Sequence, residues 1–102
     1  MDPKEINARI GQAWKMHYTG KNDAAIEQFE RILAEAADPI DAYWGIALSY
    51  RKAGNEEKSL EAFQQAADLI AIAAQTDAEH KERYFMLQRM VKQQIEQMAD
   101  FI

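Results

Sequence analysis

The sequence predicts an all-α fold, arranged as an α-solenoid of five helices. Apolar residues recur at helical spacing in five successive segments. Only 4 Gly and 2 Pro occur among 102 residues, too few for the many turns of an all-β chain. A helix-turn-helix pattern also recurs, and such a pair buries its apolar face only by stacking on a neighbouring copy. We therefore expect one domain of stacked helical pairs.

The first helical pair is predicted from Pro3 to about residue 37. Asp2 can cap the first helix, and Pro3 suits its first turn. Gly20 ends this helix just after Tyr18, because glycine readily adopts the left-handed conformation that closes a helix. Asn22 is placed to cap the second helix. The apolar face of that helix consists of Ile26, Phe29, Ile32 and Leu33.

The second pair repeats this organisation. Asp38 and Pro39 form another helix start, and Gly54 ends the third helix. Asn55 caps the fourth helix, which is predicted to continue to about residue 75. One face of the fourth helix carries Leu60, Phe63, Ala66, Ala67 and Ile70.

A last helix is predicted at about residues 77–100. Thr76 and Glu79 have the spacing of a capping box in front of it. We expect its apolar face to cover the flank of the second pair, as the terminal elements of repeat arrays do. Its apolar residues are Tyr84, Leu87, Met90, Val91, Ile95 and Met98.

An internal repeat relates the two pairs at one constant distance along the chain, which we call the repeat spacing. The residues that match at this spacing are Gly20 and Gly54, Phe29 and Phe63, Ala13 and Ala47, and Ala25 and Ser59. In the second pair, small, aromatic and glycine residues stand at Tyr43, Ala47, Tyr50, Gly54, Ser59, Phe63 and Ala66. A helix-turn-helix unit with this pattern and this spacing resembles the tetratricopeptide repeat.

The resemblance implies a first repeat at about 6–39, a second at about 40–73 and a C-terminal capping helix. The first repeat departs from the family pattern at three positions. Arg9 and Met16 stand where aromatic residues are usual, and Ile32 replaces a small residue. We expect looser packing in the first repeat than in the second.

The composition argues against several classes of function. The net charge is −5 and the basic residues are scattered, which is unlike a nucleic-acid-binding surface. No run approaches the roughly 20 apolar residues of a membrane span. The absence of cysteine fits a reducing compartment, and we expect a cytoplasmic protein.

The residue inventory also predicts no enzyme, no metal site and no cofactor. His17 and His80 are the only histidines, and neither has a second ligand at the spacing of a helical metal site. The four glycines are isolated, so no phosphate-binding loop is present. Adjacent carboxylates such as Glu56 and Glu57 are explained by the dipole at a helix N-terminus.

A binding function remains. In tetratricopeptide repeats the first helix of each repeat lines a concave groove that holds a peptide or helix of a partner protein. Transferred by position, the predicted site is Ile10, Trp14, His17, Tyr18, Trp44, Leu48, Arg51 and Lys52. The subset of this family that grips a C-terminal carboxylate uses Lys and Asn where this chain has Ile10, Trp14 and Gly45. That type of ligand is therefore not expected.

Two interpretations stay open. In the first, the chain is an adaptor that binds an apolar segment of another protein, with Trp14 and Trp44 flanking one pocket and Arg51 or Lys52 holding an acidic group. In the second, it is a structural module whose groove is covered by its own last helix or by a second copy in a homodimer. Trp44 would then be a packing residue.

Overall fold

A computed structural model describes residues 3–35 and 39–99, where α-helices follow one another without a strand. The helices are α1 (Pro3–Tyr18), α2 (Asn22–Glu35), α3 (Ile40–Lys52), α4 (Glu56–Thr76) and α5 (Lys81–Ala99). A short 3-10 helix, Ala78–His80, precedes α5. The predicted all-α class with five helices is confirmed. The predicted caps Asp2 and Asp38 lie outside the described residues.

The turns within the two helical pairs have the same hydrogen bonds. Gly20 and Gly54 have φ values of +83° and +87°, in the left-handed region that glycine adopts without strain. The amides of Gly20 and Lys21 donate to the carbonyls of His17 and Met16, at 3.2 and 2.9 Å. At the matching positions of the second pair, Gly54 and Asn55 donate to Arg51 and Tyr50, at 3.1 and 2.9 Å. This pattern is the Schellman motif, which satisfies the last carbonyls of a helix.

The residues that match between the two pairs are also buried alike. The fully buried members are Ala13, Ala47, Ala25, Ser59, Phe29 and Phe63. Ser59 is the one polar residue in this set, and its hydroxyl donates to the carbonyl oxygen of Ala47 at 2.6 Å. A buried hydroxyl without a partner would be costly, so this bond explains how serine takes a small-residue position.

Each helix packs on the next one in sequence, and α1 also touches α3. The molecule measures 39 × 36 × 18 Å, and its smallest dimension corresponds to two layers of helices. The core runs through both pairs to α5, where Tyr84, Val91 and Met98 are buried. Within the described ranges, none of the helices is both long and apolar enough to cross a membrane.

The close approach of α2 to α3 depends on Gly45. This glycine is buried, and a Cβ atom placed on it would overlap the ring of Phe29. The ring therefore lies against the backbone of α3, where any larger residue would force the two helices apart. Gly45 thus couples the first pair to the second.

Several predicted features of the helix ends are different in the structure. Asn55 caps α4 as predicted, its side-chain oxygen accepting from the amide of Lys58 at 3.2 Å. Asn22 does not cap α2, because its buried side-chain oxygen has no hydrogen-bond partner. The capping box at Thr76 is also wrong. Thr76 ends α4, and its hydroxyl donates back to the carbonyl of Ile72 at 3.1 Å.

Candidate functional site

The predicted binding residues lie on α1 and α3, as the sequence places them. Most are half-buried, because they pack against the core while keeping part of their surface in solvent. Tyr18 and Lys52 are exposed, and Tyr18 keeps 73% of its surface accessible. The half-buried residues are Ile10, Trp14, His17, Trp44, Leu48 and Arg51.

The α1 part of the site is an aromatic cluster built on Phe29. The ring of Trp14 meets that of Phe29 edge-on, with 5.2 Å between centroids. Tyr18 stacks on Trp14 at 5.9 Å, and His17 contacts the same indole edge-on at 5.7 Å. One side of Trp14 therefore belongs to the core, and the other supports the exposed ring of Tyr18.

His17 connects α1 to α3. A hydrogen bond of 3.2 Å joins its Nδ1 to the hydroxyl of the buried Ser49. The ammonium group of Lys52 donates to the carbonyl oxygen of His17 at 2.9 Å, at the C-terminal end of α1 where a cation is favoured. Burial lowers the pKa of His17, and the charge of Lys52 lowers it further.

The α3 part of the site surrounds Trp44. Its indole meets the ring of Phe63 edge-on, with 5.5 Å between centroids. Beside it is a cavity of about 150 Å³. Helix α5 supplies three of the residues around this cavity, which the sequence did not associate with the site. The lining residues are Ile40, Asp41, Trp44, Ile70, Arg83, Leu87 and Met90.

The predicted pocket between two tryptophans takes a different form. Trp14 is not among the residues that line the cavity beside Trp44. The two indoles contact different phenylalanines, Phe29 and Phe63, in separate aromatic clusters. The reason is the register of the repeat: at the repeat spacing Trp14 matches Leu48, and Trp44 matches Ile10.

The basic residues predicted to hold an acidic group are engaged inside the chain. Arg51 donates to the side-chain oxygen of Gln94 on α5, and Lys52 donates to the backbone of α1. Both cations thus link helices. The charged groups at the cavity beside Trp44 are instead Asp41 and Arg83, and both of these residues are exposed.

A second apolar surface on α5 was missed. Phe85, Met86 and Met90 are 51%, 59% and 42% exposed, although Met90 was predicted on the buried face. An open groove on this side is lined by Glu82, Phe85, Met86, Arg89, Met90 and Gln93, which we call the α5 outer stripe. These positions recur at helical spacing opposite Tyr84 and Val91. That second periodicity was the available signal.

A cluster of possible metal-ligating atoms occurs between α4 and α5. Among the described residues, Asp77, Glu79 and His80 bring such atoms within 4.8 Å of one another. Local hydrogen bonds account for this geometry: Nδ1 of His80 lies 2.9 Å from Asp77, and the hydroxyl of Tyr84 donates to the same carboxylate at 3.2 Å. The hydrogen bond with His80 is the main reason why the pKa of Asp77 lies below its ordinary value. The group fixes the turn before α5.

The cavity beside Trp44 therefore suits the binding of an apolar group. Among the described residues that line it there is no histidine, serine or cysteine, and the two serines of the chain are fully buried elsewhere. Comparisons of this chain with protein-family models, with curated proteins and with solved structures find no match.

Proposed function

We propose that this chain is a protein–protein interaction module of the tetratricopeptide-repeat type, with two repeats and a final helix. It binds a helix or extended segment of another protein and takes one apolar side chain of that segment into the cavity beside Trp44. The observation that carries the proposal is this cavity of about 150 Å³, lined mainly by apolar side chains and opening between α3 and α5.

The size and chemistry of the cavity specify the ligand. An apolar protein cavity of about 150 Å³ can hold a group of the size of benzene. Ile70 and Leu87 line it, so a leucine or phenylalanine side chain gains free energy by leaving water. Asp41 and Arg83 supply one charge of each sign. The expected segment therefore carries one large apolar residue flanked by charged residues.

Trp44 is suited to the centre of such a contact. Tryptophan is enriched among the interface residues that contribute most to binding. The contact with Phe63 holds the indole in place, so little side-chain entropy is lost when a partner binds. The proposal keeps Trp44 as the central residue, but it replaces Arg51 and Lys52 with Arg83 as the cation next to the ligand.

The repeat assignment is supported by the likeness of the two helical pairs. The Schellman turns recur at the repeat spacing, and so do the buried small residues and the buried phenylalanines. Two unrelated helical pairs would not be expected to have the same turns and the same buried residues at so many matching positions. The proposed role is binding without catalysis, and a cytoplasmic location stays a prediction.

Random peptides displayed on phage provide the test, because no ligand needs to be known beforehand. We expect the full chain to select peptides that share one large apolar residue with charged neighbours. Leu87→Phe fills the cavity and should weaken the selected peptides at least about tenfold, which corresponds to about 1.4 kcal/mol. Isothermal titration calorimetry measures the affinity, and thermal unfolding shows that the variant remains folded.

The matched control is Leu33→Phe, the same substitution in a groove formed by α2, α3 and α4. It should leave peptide affinity unchanged. The proposal fails if no apolar consensus is selected, or if Leu87→Phe binds the selected peptides as tightly as the wild type does.

A further inference from the structure

The α5 outer stripe differs from the surface expected of a terminal helix. The last helix of a repeat array normally presents a polar outer face, which keeps the array soluble. Here, Phe85, Met86 and Met90 lie on the outer side, exposed by about half of their surface. The opposite side of α5 is already used, with Tyr84, Val91 and Met98 buried in the core. The helix is therefore apolar on two faces, and among the described residues only one of these faces has a partner.

The charged residues of the stripe are arranged symmetrically. Glu82 lies three residues before Phe85, and Arg89 lies three residues after Met86. The two charges are two helical turns apart, or about 10 Å along the helix axis. In the described part of the chain, neither Glu82 nor Arg89 takes part in an ion pair. Both line the same groove.

We propose that two copies of this chain associate through their α5 outer stripes, with the two helices antiparallel. A two-fold axis between Phe85 and Met86 places Glu82 of each copy opposite Arg89 of the other. The same axis brings the Phe85 and Met86 side chains of the two copies together at the centre of the contact, where a thioether beside an aromatic ring is favourable. One rotation thus pairs both charges and covers the apolar centre, as an isologous interface requires.

The charges select a second copy in this orientation. A parallel pair would bring Glu82 next to Glu82 and Arg89 next to Arg89, and like charges in an interface are strongly unfavourable. The antiparallel pair makes two opposite-charge contacts from one glutamate and one arginine per copy. Met90 of one copy then covers the stem of Lys81 of the other copy. Within each chain, the ammonium group of Lys81 lies 5.6 Å from the centre of the Phe85 ring.

This surface overlaps the lining of the proposed peptide site at Met90 and otherwise consists of other residues of α5. A single helix pair buries less than the roughly 1,200 Å² of a standard interface, so we expect a dimer with micromolar affinity. It should weaken as salt is added, because the ion pairs at its edge remain partly solvated.

Sedimentation equilibrium of the full chain tests the dimer, from about 1 µM to about 1 mM so as to span micromolar affinity. The wild type should pass from monomer to dimer over this range. Glu82→Arg places two arginines opposite each other, and Arg89→Glu does the same with two glutamates. Each variant alone should dimerise at least about tenfold more weakly than the wild type.

An equimolar mixture of the two variants makes the decisive measurement. The Glu82→Arg copy has arginine at both positions, and the Arg89→Glu copy has glutamate at both. A dimer with one copy of each variant therefore joins arginine to glutamate at both contacts. The mixture should therefore form a dimer at least as tight as the wild type. An effect within one chain, such as a change in helix stability, cannot be reversed by mixing. Circular dichroism should show equal helix content in all samples.

The matched control uses Glu27 and Arg31, an exposed ion pair of 2.7 Å on α2. Glu27→Arg and Arg31→Glu should dimerise like the wild type, and mixing them should change nothing. The proposal is overturned if the wild type stays monomeric throughout, if the α5 variants dimerise as tightly as the wild type, or if their mixture does not regain the dimer. A monomer throughout would leave the stripe to a different protein.

Discussion

The two helical pairs share one pattern, but they carry unequal parts of the core. Their turns and matching buried residues are alike, whereas their first helices differ. In α3 the buried residues are Ala42, Gly45, Ile46, Ala47 and Ser49, while in α1 only Ala13 is buried among the described residues. Helix α3 has neighbours on both sides, and α1 has none before it in the described part. The number of neighbouring helices therefore decides how much a matching residue contributes to the core.

Gly11 and Gly45 show the same difference between the two helical pairs. They too match at the repeat spacing, and both lie within a helix. A Cβ atom on Gly45 would overlap the Phe29 ring, whereas a Cβ atom on Gly11 would meet nothing within 4 Å. Glycine is thus required at position 45 by Phe29 of the first helical pair, whereas no described neighbour requires it at position 11.

The largest expected effect tests the equal part of the comparison. Phe29→Ala and Phe63→Ala should each lower the free energy of unfolding by about 3–5 kcal/mol, because each removes a fully buried ring and leaves a cavity. Urea denaturation measures the two losses. Losses that differ by more than about 2 kcal/mol would show that the matching residues are not equivalent.

Gly45→Ala and Gly11→Ala test the unequal part, with opposite signs. Gly45→Ala should destabilise the protein by about 1–3 kcal/mol, because the methyl group pushes against the Phe29 ring. Gly11→Ala should stabilise it by about 0.5–1 kcal/mol, because alanine is the better residue in an open helix. Thermal unfolding of both variants measures the shifts. Changes of the same sign would contradict this account of the two positions.

The turn glycines should again behave alike. Gly20→Ala and Gly54→Ala should each cost about 1–2 kcal/mol, because alanine is strained at φ values near +83° and +87°. Neither position has a neighbour that a Cβ atom would strike, so strain of the backbone is the whole effect. The corresponding asparagine variants should recover part of the loss, since asparagine tolerates this conformation better. Equal losses for alanine and asparagine would point to a different cause.

The smallest effect concerns pH, and it again distinguishes the two helical pairs. His17 has a pKa below its ordinary value of 6.5, so the unfolded chain binds more protons than the folded chain as the pH falls through that value. The contribution of His17 to stability is complete above pH 6.5 and is lost as the pH falls toward the lowered pKa. The matching residue in the second helical pair is Arg51, so this histidine occurs in the first pair alone.

His17→Gln removes this titration while keeping a polar side chain beside Ser49. Urea denaturation of both proteins between about pH 5 and pH 8 should give a wild-type stability that declines more steeply on the acid side. Parallel curves for the two proteins would mean that protonation of His17 has no part in the decline.

The binding site shows how far a sequence prediction can extend. Trp14 and Trp44 were predicted to flank one pocket, and of these two the structure places Trp44 beside the cavity. Arg83 and Leu87 could not be assigned to that cavity from the sequence, because their place there depends on where α5 lies relative to α3. The hydrogen bonds that Arg51 and Lys52 make to other helices could not be assigned from the sequence for the same reason.

The helices, the glycine turns and the repeat spacing could be predicted from the sequence alone, because they depend on local interactions. Helical periodicity and the left-handed conformation of Gly20 and Gly54 act within a few residues of chain. The tertiary structure alone decided that Phe29 lies against Gly45 and that Met90 faces outward. These outcomes depend on the rotation and separation of whole helices, which are determined by the combined packing of many side chains that are distant in sequence.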